Sequence, residues 1–170
     1  GDFVSAPICE RVKNTFQKNF ALNNLYFTQS GSHSLYWILK GLKLSQSDEV
    51  IIPSYACPSI LHALLCAGVT PVLCDIGDRW HMTRENVEQK ITKKTKAIVV
   101  VSLFGMFVNC FDFRFPGVLI INDLCQCPNI FQEMNMDYGD FIFFSFHPTK
   151  YLNAGGYGAF SVQNDKYYSN

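Results

Sequence analysis

Apolar residues along the chain alternate between helical spacing and short continuous runs. Near the N-terminus they recur every four positions, which predicts an amphipathic helix over about residues 7–20. An aromatic strand is predicted over residues 24–28, and helical spacing returns after the polar turn QSGSHS. The two apolar helix faces consist of Ile8, Val12, Phe16 and Phe20, and of Leu35, Ile38, Leu39 and Leu42. The chain therefore begins as helix, strand, tight turn and helix.

The same alternation continues to the end of the chain. Strands that alternate with helices indicate a largely parallel sheet covered by helices on both faces. The last two strands are separated by too little chain for a helical crossover, so the final strand is expected to be antiparallel. We predict one α/β domain over residues 1–170, with a mostly parallel mixed sheet. The further strands are predicted over residues 49–54, 70–76, 96–104, 117–123, 141–146 and 156–162, and the further helices over 58–67 and 84–92.

Size and charge narrow the class of protein. The chain has 170 residues, with 14 basic and 14 acidic side chains, which fits one domain and leaves no basic surface for nucleic acid. The longest nearly uncharged apolar run, residues 97–108, is shorter than the roughly 20 residues of a membrane-spanning helix. The N-terminal segment has no apolar stretch of signal-peptide length. We therefore expect a cytoplasmic protein with no nucleic-acid or membrane partner.

Seven cysteines are scattered through apolar segments without paired CxxC spacing. An odd count in this pattern predicts neither a disulfide framework nor a zinc site, so no metal is expected. Free cysteine usually behaves as a small buried hydrophobic residue, and this is the interpretation we favour here. A redox pair of Cys125 and Cys127 is the alternative.

Two candidate chemical groups stand at the ends of apolar strands. Lys150 lies in the run SFHPTKYLNAGGYGAF, and Asp123 ends the run GVLIIND. Ligands of α/β proteins bind at the carboxyl ends of strands, so both side chains are expected at one edge. There an amine and a carboxylate can hold pyridoxal phosphate, as Schiff-base former and pyridinium partner. The alternatives are a surface lysine, and an aspartate paired with a loop amide or a helix N-terminus.

A phosphate site is predicted at Ser30, Gly31 and Ser32, because free amides and the positive dipole end at a helix start attract anions. The same SGS sequence can serve only as a helix cap and turn. Ser145 adds a second hydroxyl near the candidate lysine, which favours the phosphate site. His147 fits two roles equally well, an acid/base group or a packed and hydrogen-bonded side chain.

The ordered motifs resemble the DegT/DnrJ/EryC1/StrS family, pyridoxal-phosphate-dependent aminotransferases of nucleotide-linked sugars, over about residues 8–162. SGSHSLYWILKGL resembles the family's SGT-A-L helix, and DEVIIPSYACPSI resembles its DEVI-P-S/A-Y-T segment. NDLCQC resembles its EDAAQA segment, and SFHPTK with the glycine turn resembles its lysine segment. The resemblance implies the aspartate-aminotransferase (type I) fold.

The resemblance also implies roles for single residues. Lys150 would form the Schiff base with pyridoxal 5'-phosphate and shuttle a proton, while Asp123 would pair with the pyridine nitrogen. The amino group would pass from an amino acid, usually glutamate, to a nucleotide-linked keto-sugar, in active sites completed across a homodimer. The other implied cofactor-binding residues are Gly31, Ser32 and Ser145 at the phosphate, Gln126 near the ring oxygen, and Cys57 on the ring face.

Several departures from the family pattern oppose full activity. Cys57 stands where the family commonly has a stacking aromatic residue, Asn122 replaces a glutamate, and residues 156–158 replace a GEGG-like turn. The segment between Gly105 and Asp123 is short, which predicts a stunted or absent crossover helix. The sequence also stops before the family's C-terminal small domain, so that domain is expected to be missing.

Three functions follow from these observations. The first is a sugar aminotransferase in a short or truncated form that retains the cofactor half. The second is a non-catalytic relic or interaction module that keeps the fold. A dehydratase of the same family is disfavoured, because those enzymes have a histidine in place of Lys150.

Overall fold

Seven strands form one mixed sheet in the part of the chain that the computed structural model describes, residues 6–20, 22–127 and 136–167. The strands are β1 (Leu25–Thr28), β2 (Glu49–Pro53), β3 (Thr70–Cys74), β4 (Thr95–Val101), β5 (Leu119–Asp123), β6 (Phe141–Ser145) and β7 (Gly158–Val162). Their order across the sheet is β1-β7-β6-β5-β4-β2-β3. The neighbours from β6 to β3 are parallel, and β7 is antiparallel to both β6 and β1. The predicted mostly parallel mixed sheet with an antiparallel last strand is confirmed.

Capping interactions mark the start of α2 and the end of α3. The hydroxyl of Ser30 accepts a hydrogen bond from the amide of His33 at the start of α2, and Gly68 ends α3 in the left-handed conformation. None of the described helices is long and apolar enough to cross a membrane. The helices are α1 (Ala6–Phe20), α2 (Gly31–Gly41), α3 (Pro58–Ala67) and α4 (Arg84–Glu88), with 3-10 turns at Cys110–Phe113 and Asp165–Tyr167.

Helix α4 is shorter than the sequence pattern predicts, because it ends at Glu88 and not at residue 92. The amide of Thr92 donates to the hydroxyl of Thr95, and the hydroxyl of Thr92 donates to the carboxylate of Glu49. These bonds direct the chain into β4. Local hydroxyl bonding of this kind competes with helix continuation.

The central strands are buried on both faces, which explains their continuous apolar runs. Val99 and Ile121 pack into the cluster beneath α2 and α3, while Val100 and Ile120 pack into a second cluster on the opposite face. Because successive side chains in a strand alternate between faces, these neighbouring apolar residues serve two cores. The buried sheet leaves its carboxyl edge as the place where polar side chains collect.

The connection from β4 to β5 contains only a 3-10 turn, as the short segment predicts. Arg114 follows this turn and forms two bonds with the carboxylate of Asp137, of 2.6 and 2.7 Å. It donates a third bond to Asp140 at 2.8 Å, and the same oxygen of Asp140 accepts from the amide of Ile120. This ion-pair cluster attaches the crossover to the segment that enters β6.

Candidate active site

A cavity of about 320 Å³ opens at the carboxyl ends of β4, β5 and β6, beside the N-terminus of α2. The carboxyl ends of parallel strands share one edge of the sheet, so residues distant in sequence converge there. The structure brings together every site residue named from the sequence. These residues are Gly31, Ser32, Cys57, Asp123, Gln126, Ser145 and Lys150.

The N-terminus of α2 is pressed against the strands that carry the lysine segment. A Cβ added to Gly31 would lie 2.9 Å from the Cβ of Ser145 and 3.3 Å from the sulfur of Cys125. A Cβ added to Gly158 would overlap the backbone of Ser30. Only glycine fits at both positions, and the close packing brings the first amides of α2 to the cavity. Unpaired amides at a helix start favour an anion there.

The hydroxyls of the predicted phosphate site have different surroundings. Ser30 caps α2, so the capping interpretation of the SGS sequence is confirmed for this residue. Ser32 lines the cavity, and its hydroxyl has no hydrogen bond within the described segments. Ser145 also lines the cavity, and its hydroxyl accepts only a long bond of 3.4 Å from the amide of His147. Both hydroxyls retain hydrogen-bonding capacity for a ligand.

Asp123 is the last residue of β5 and is 6% exposed. Its Oδ1 accepts a hydrogen bond from the amide of Cys125 at 2.9 Å, and the side chain of Cys125 also forms a hydrogen bond with the carboxyl group. Burial raises the pKa of this carboxyl, although the bonds from Cys125 and the charge of Lys150 act in the opposite direction. Burial outweighs the contacts that favour the ionised form, so a cationic or protonated ligand group would stabilise this carboxylate.

Gln126 is held by the loop that follows β4. Its Oε1 accepts from the amide of Phe104 at 3.5 Å, and its backbone carbonyl accepts from the amide of Gly105 at 2.9 Å. Its side-chain NH₂ group is a donor that can serve a ligand at the cavity.

Lys150 follows a tight turn at the mouth of the cavity and is half-buried. Its backbone amide donates to the carbonyl of His147 at 2.8 Å. Within the described segments its ammonium group forms no ion pair, yet its charge acts on Asp123 and on Cys125. The amine of Lys150 is therefore close enough to affect the carboxyl group of Asp123, but it does not form an ion pair with it.

Two cysteines line the cavity with different properties. Cys57 is exposed at the start of α3, and its sulfur accepts a bond from the hydroxyl of Ser59 at 3.1 Å. Burial and the neighbouring Asp123 raise the pKa of the Cys125 thiol well above its ordinary value, which keeps it protonated. Cys127 is buried and donates to the carbonyl of Gly105.

Sequence reasoning missed several residues beside the cavity. Ser102 directly follows β4, and Thr149 follows a proline, so neither has a distinctive sequence signal. An exposed cluster of Tyr55, Trp80 and Phe104 lies in the loops after β2, β3 and β4, with ring centroids 5.4 and 5.9 Å apart. The pairing of these rings across three loops appears only in the folded chain.

Comparison with known proteins adds to this geometry. The sequence profile of the DegT/DnrJ/EryC1/StrS aminotransferase family matches residues 7–170. UDP-N-acetyl-3-dehydro-alpha-D-glucosamine 3-aminotransferase of Acidithiobacillus ferrooxidans is 34% identical over 150 residues, which covers 80% of this chain and 39% of that protein. GDP-perosamine synthase of Escherichia coli O157:H7 is 30% identical over 169 residues, which covers 92% of this chain and 45% of that protein.

A solved structure extends the similarity to the backbone. The crystal structure of NtdA from Bacillus subtilis with bound cofactor PMP is 26% identical and has a TM-score of 0.87. The match covers 96% of this chain and 39% of that one, so the chain spans less than half the length of the relatives it matches. The profile match over nearly the whole chain shows that the protein belongs to the DegT/DnrJ/EryC1/StrS aminotransferase family.

Proposed function

We propose that this chain forms the cofactor-binding part of a pyridoxal-phosphate-dependent aminotransferase that acts on a nucleotide-linked keto-sugar. The observation that carries the proposal is the meeting of Asp123, Ser145 and Lys150 in one cavity at the N-terminus of α2. Family membership and the names of the two nucleotide-sugar relatives support the substrate class. Because the chain spans less than half the length of those relatives, amino transfer by this chain is itself proposed.

The cavity residues fit pyridoxal phosphate at three points. The volume of about 320 Å³ lies in the range of small-molecule sites, roughly 300–1,000 Å³. The first amides of α2 with the hydroxyls of Ser32 and Ser145 suit a phosphate. The buried carboxylate of Asp123 suits a protonated ring nitrogen, whose charge would offset the cost of burying the ionised form. These three features support the cofactor independently of one another.

Each chain residue then has a distinct task. Bound pyridoxal phosphate would supply an electron sink for the substrate α-carbon. Lys150 would hold the cofactor covalently through its amine and carry a proton to and from that carbon. Asp123 would hold the proton on the ring nitrogen, and the NH₂ group of Gln126 would donate to the ring oxygen. Cys57 would lie at the ring face, where its small side chain offers less stacking area than an aromatic ring.

The proposed partners are an amino-acid donor, glutamate, and a second copy of the chain. The exposed rings of Tyr55, Trp80 and Phe104 support a homodimer, because an exposed aromatic cluster beside a cavity favours association. Light scattering that gives the mass of a monomer at all concentrations would remove the dimer from the proposal. The cytoplasmic location expected from the sequence stays a prediction.

Cofactor attachment tests the central claim. Purified protein mixed with pyridoxal phosphate should develop a visible absorbance band, and borohydride reduction should fix the cofactor mass on the peptide that contains Lys150. Lys150→Ala should lose both signals, whereas Lys40→Ala, on the exposed side of α2, should keep them. Wild-type protein without the band and the reduced adduct would overturn cofactor binding.

Amino transfer tests the reaction itself. The chain should convert glutamate and a nucleotide-linked keto-sugar into 2-oxoglutarate and the amino-sugar, measured by mass spectrometry. Cofactor attachment without this conversion would favour the second hypothesis, a non-catalytic module that keeps the fold. Cys57 at the ring face and the short connection between β4 and β5 are the features that favour that hypothesis.

A further inference from the structure

The backbone of His147 is hydrogen-bonded to two residues that line the cavity, Ser145 and Lys150. Its amide donates to the hydroxyl of Ser145 at 3.4 Å, and its carbonyl accepts from the amide of Lys150 at 2.8 Å. Pro148 occupies the second position of this turn, where its fixed φ favours the turn and its missing N–H costs nothing. One residue therefore connects the proposed phosphate hydroxyl with the proposed covalent lysine.

The imidazole ring of His147 closes the same turn from the side chain. The backbone amide of Thr149 donates to Nδ1 at 3.3 Å, and the hydroxyl of Thr149 lies 2.9 Å from the same nitrogen. A backbone amide can only donate, so this contact makes Nδ1 the acceptor and assigns the ring proton to Nε2.

The hydrogen bond between the amide of Thr149 and Nδ1 of His147 stabilises mainly the turn. His147, Pro148 and Thr149 are all exposed, so the bond contributes no burial to the core. The loop as a whole is closed separately, because the carbonyl of Phe146 accepts bonds from the amides of Ala154 and Gly156 at 3.0 and 3.1 Å. The Nδ1 acceptor thus acts on the four residues that end at Lys150.

We propose that His147 is a positioning residue for Lys150: its Nδ1, as acceptor from the amide of Thr149, orders the turn over residues 147–150 and so places the amine for attachment to the cofactor. The inference rests on the proposed function, since it concerns the lysine of that site. It assigns His147 to turn formation and not to proton transfer with the substrate. The turn needs only a side-chain acceptor at residue 147. An asparagine can also supply one, because its side-chain oxygen can accept from the amide two residues ahead.

Three variants distinguish the effect of the side-chain acceptor at residue 147 from the effects of the imidazole ring and of the Thr149 hydroxyl. His147→Ala removes the acceptor, His147→Asn keeps one, and Thr149→Val removes the hydroxyl while leaving the amide donor in place. The measured quantity is the affinity for pyridoxal phosphate, from the absorbance band and the borohydride-reduced adduct on Lys150. A net hydrogen bond of about 1 kcal/mol corresponds to a roughly fivefold loss of affinity in His147→Ala. His147→Asn should stay within about twofold of wild type, and Thr149→Val, which keeps the amide donor, should lose less affinity than His147→Ala. The melting temperature of each cofactor-free variant should fall by no more than about 4 °C.

The tautomer gives a readout that needs no cofactor. Nitrogen NMR of the histidine-labelled, cofactor-free protein should show His147 with an unprotonated Nδ1 and a proton on Nε2. A proton on Nδ1, or wild-type affinity in His147→Ala, would overturn this inference while leaving the proposed function intact. Affinity lost equally in the alanine and asparagine variants would also overturn it. Wild-type protein without cofactor attachment would instead remove the proposed function and this inference together.

Discussion

The Oδ1 atom of Asp123 accepts a hydrogen bond from the backbone amide of Cys125 at 2.9 Å, two residues farther along the chain. The residue is 6% exposed, and this bond stabilises one oxygen of its buried carboxyl group. Burial nevertheless raises its pKa, which means that the folded, cofactor-free protein disfavours the ionised form. The carboxylate of Asp123, which we assign to the cofactor ring, thus lowers the stability of the cofactor-free protein.

Asp123→Asn should therefore stabilise the cofactor-free protein and weaken cofactor binding. The amide oxygen can still accept from Cys125, and the buried charge is gone, so we expect a gain on the order of 1 kcal/mol at pH 7. Affinity for pyridoxal phosphate should fall about 10–100-fold, because a hydrogen bond to a charged group contributes roughly 1.5–3 kcal/mol. Urea unfolding and absorbance titration measure the two effects.

The acid dependence of this gain has a defined sign. A carboxyl whose pKa is raised on folding opposes stability while it is ionised, and the opposition ends where both states are protonated. The advantage of Asp123→Asn should therefore shrink as the pH falls and disappear below about pH 3.9. Asp78→Asn, at an exposed loop position, should show neither effect. A gain that persists at pH 3 would contradict the burial argument.

Gly31→Ala should separate α2 from the end of β6. The new Cβ would lie 2.9 Å from the Cβ of Ser145, a contact that requires a backbone shift. We expect about 1–3 kcal/mol of destabilisation and loss of cofactor attachment. Gly41→Ala, at the other end of the same helix, meets no atom within 4 Å and should be neutral or stabilising by up to about 1 kcal/mol. Equal unfolding midpoints for the two variants would refute the close approach.

The predictable part of the structure follows from periodicity and from sheet topology. Apolar runs located the strands, and the short chain before β7 predicted its antiparallel direction, because geometry permits no helical crossover there. Asp123 and Lys150 meet for a similar reason, since their strands end at one edge. Their cofactor roles stay predictions until attachment is measured.

Other features depend on contacts that periodicity does not encode. Arg114 joins Asp137 and Asp140 across more than twenty positions, and no local spacing indicates that pairing. Trp80 and Phe104 adopt positive φ angles of 61° and 54°, which is unusual for residues with bulky side chains. Their loops present the rings to solvent beside the cavity, an arrangement set by tertiary structure.

Alkylation rates should distinguish the cysteine at the cavity from the cysteine behind it. Cys57 and Cys66 are both exposed on or next to α3, but only Cys57 lines the proposed cofactor cavity. Both should react with iodoacetamide in the cofactor-free protein. Saturating pyridoxal phosphate should slow labelling of Cys57 severalfold and leave Cys66 unaffected, as measured by peptide mass spectrometry. Protection of both residues would indicate a global change, and protection of neither would place the cofactor elsewhere.

Arg114→Ala should destabilise the connection between β4 and β6. The variant leaves Asp140, whose side chain is 8% exposed, without its cation, and breaks both bonds to Asp137. We expect a loss of about 2–3 kcal/mol, less than the roughly 3–5 kcal/mol of a fully buried pair because the arginine side chain is 38% exposed. Urea unfolding at pH 7 measures the loss.

The same cluster makes a further prediction for acid stability. Burial alone would raise the pKa of Asp137, but the bonds from Arg114 and from the amide of Gly139 lower it. A carboxyl with a lowered pKa contributes stability above its unfolded value and loses that contribution as the pH falls through the folded value. Wild type should thus lose stability below about pH 3.9 more steeply than Arg114→Ala. Glu88→Ala, which breaks only the exposed pair with Arg84, should change the unfolding free energy by less than about 0.5 kcal/mol and keep the wild-type acid profile. Parallel acid profiles for wild type and Arg114→Ala would show that the guanidinium does not set the ionisation of Asp137.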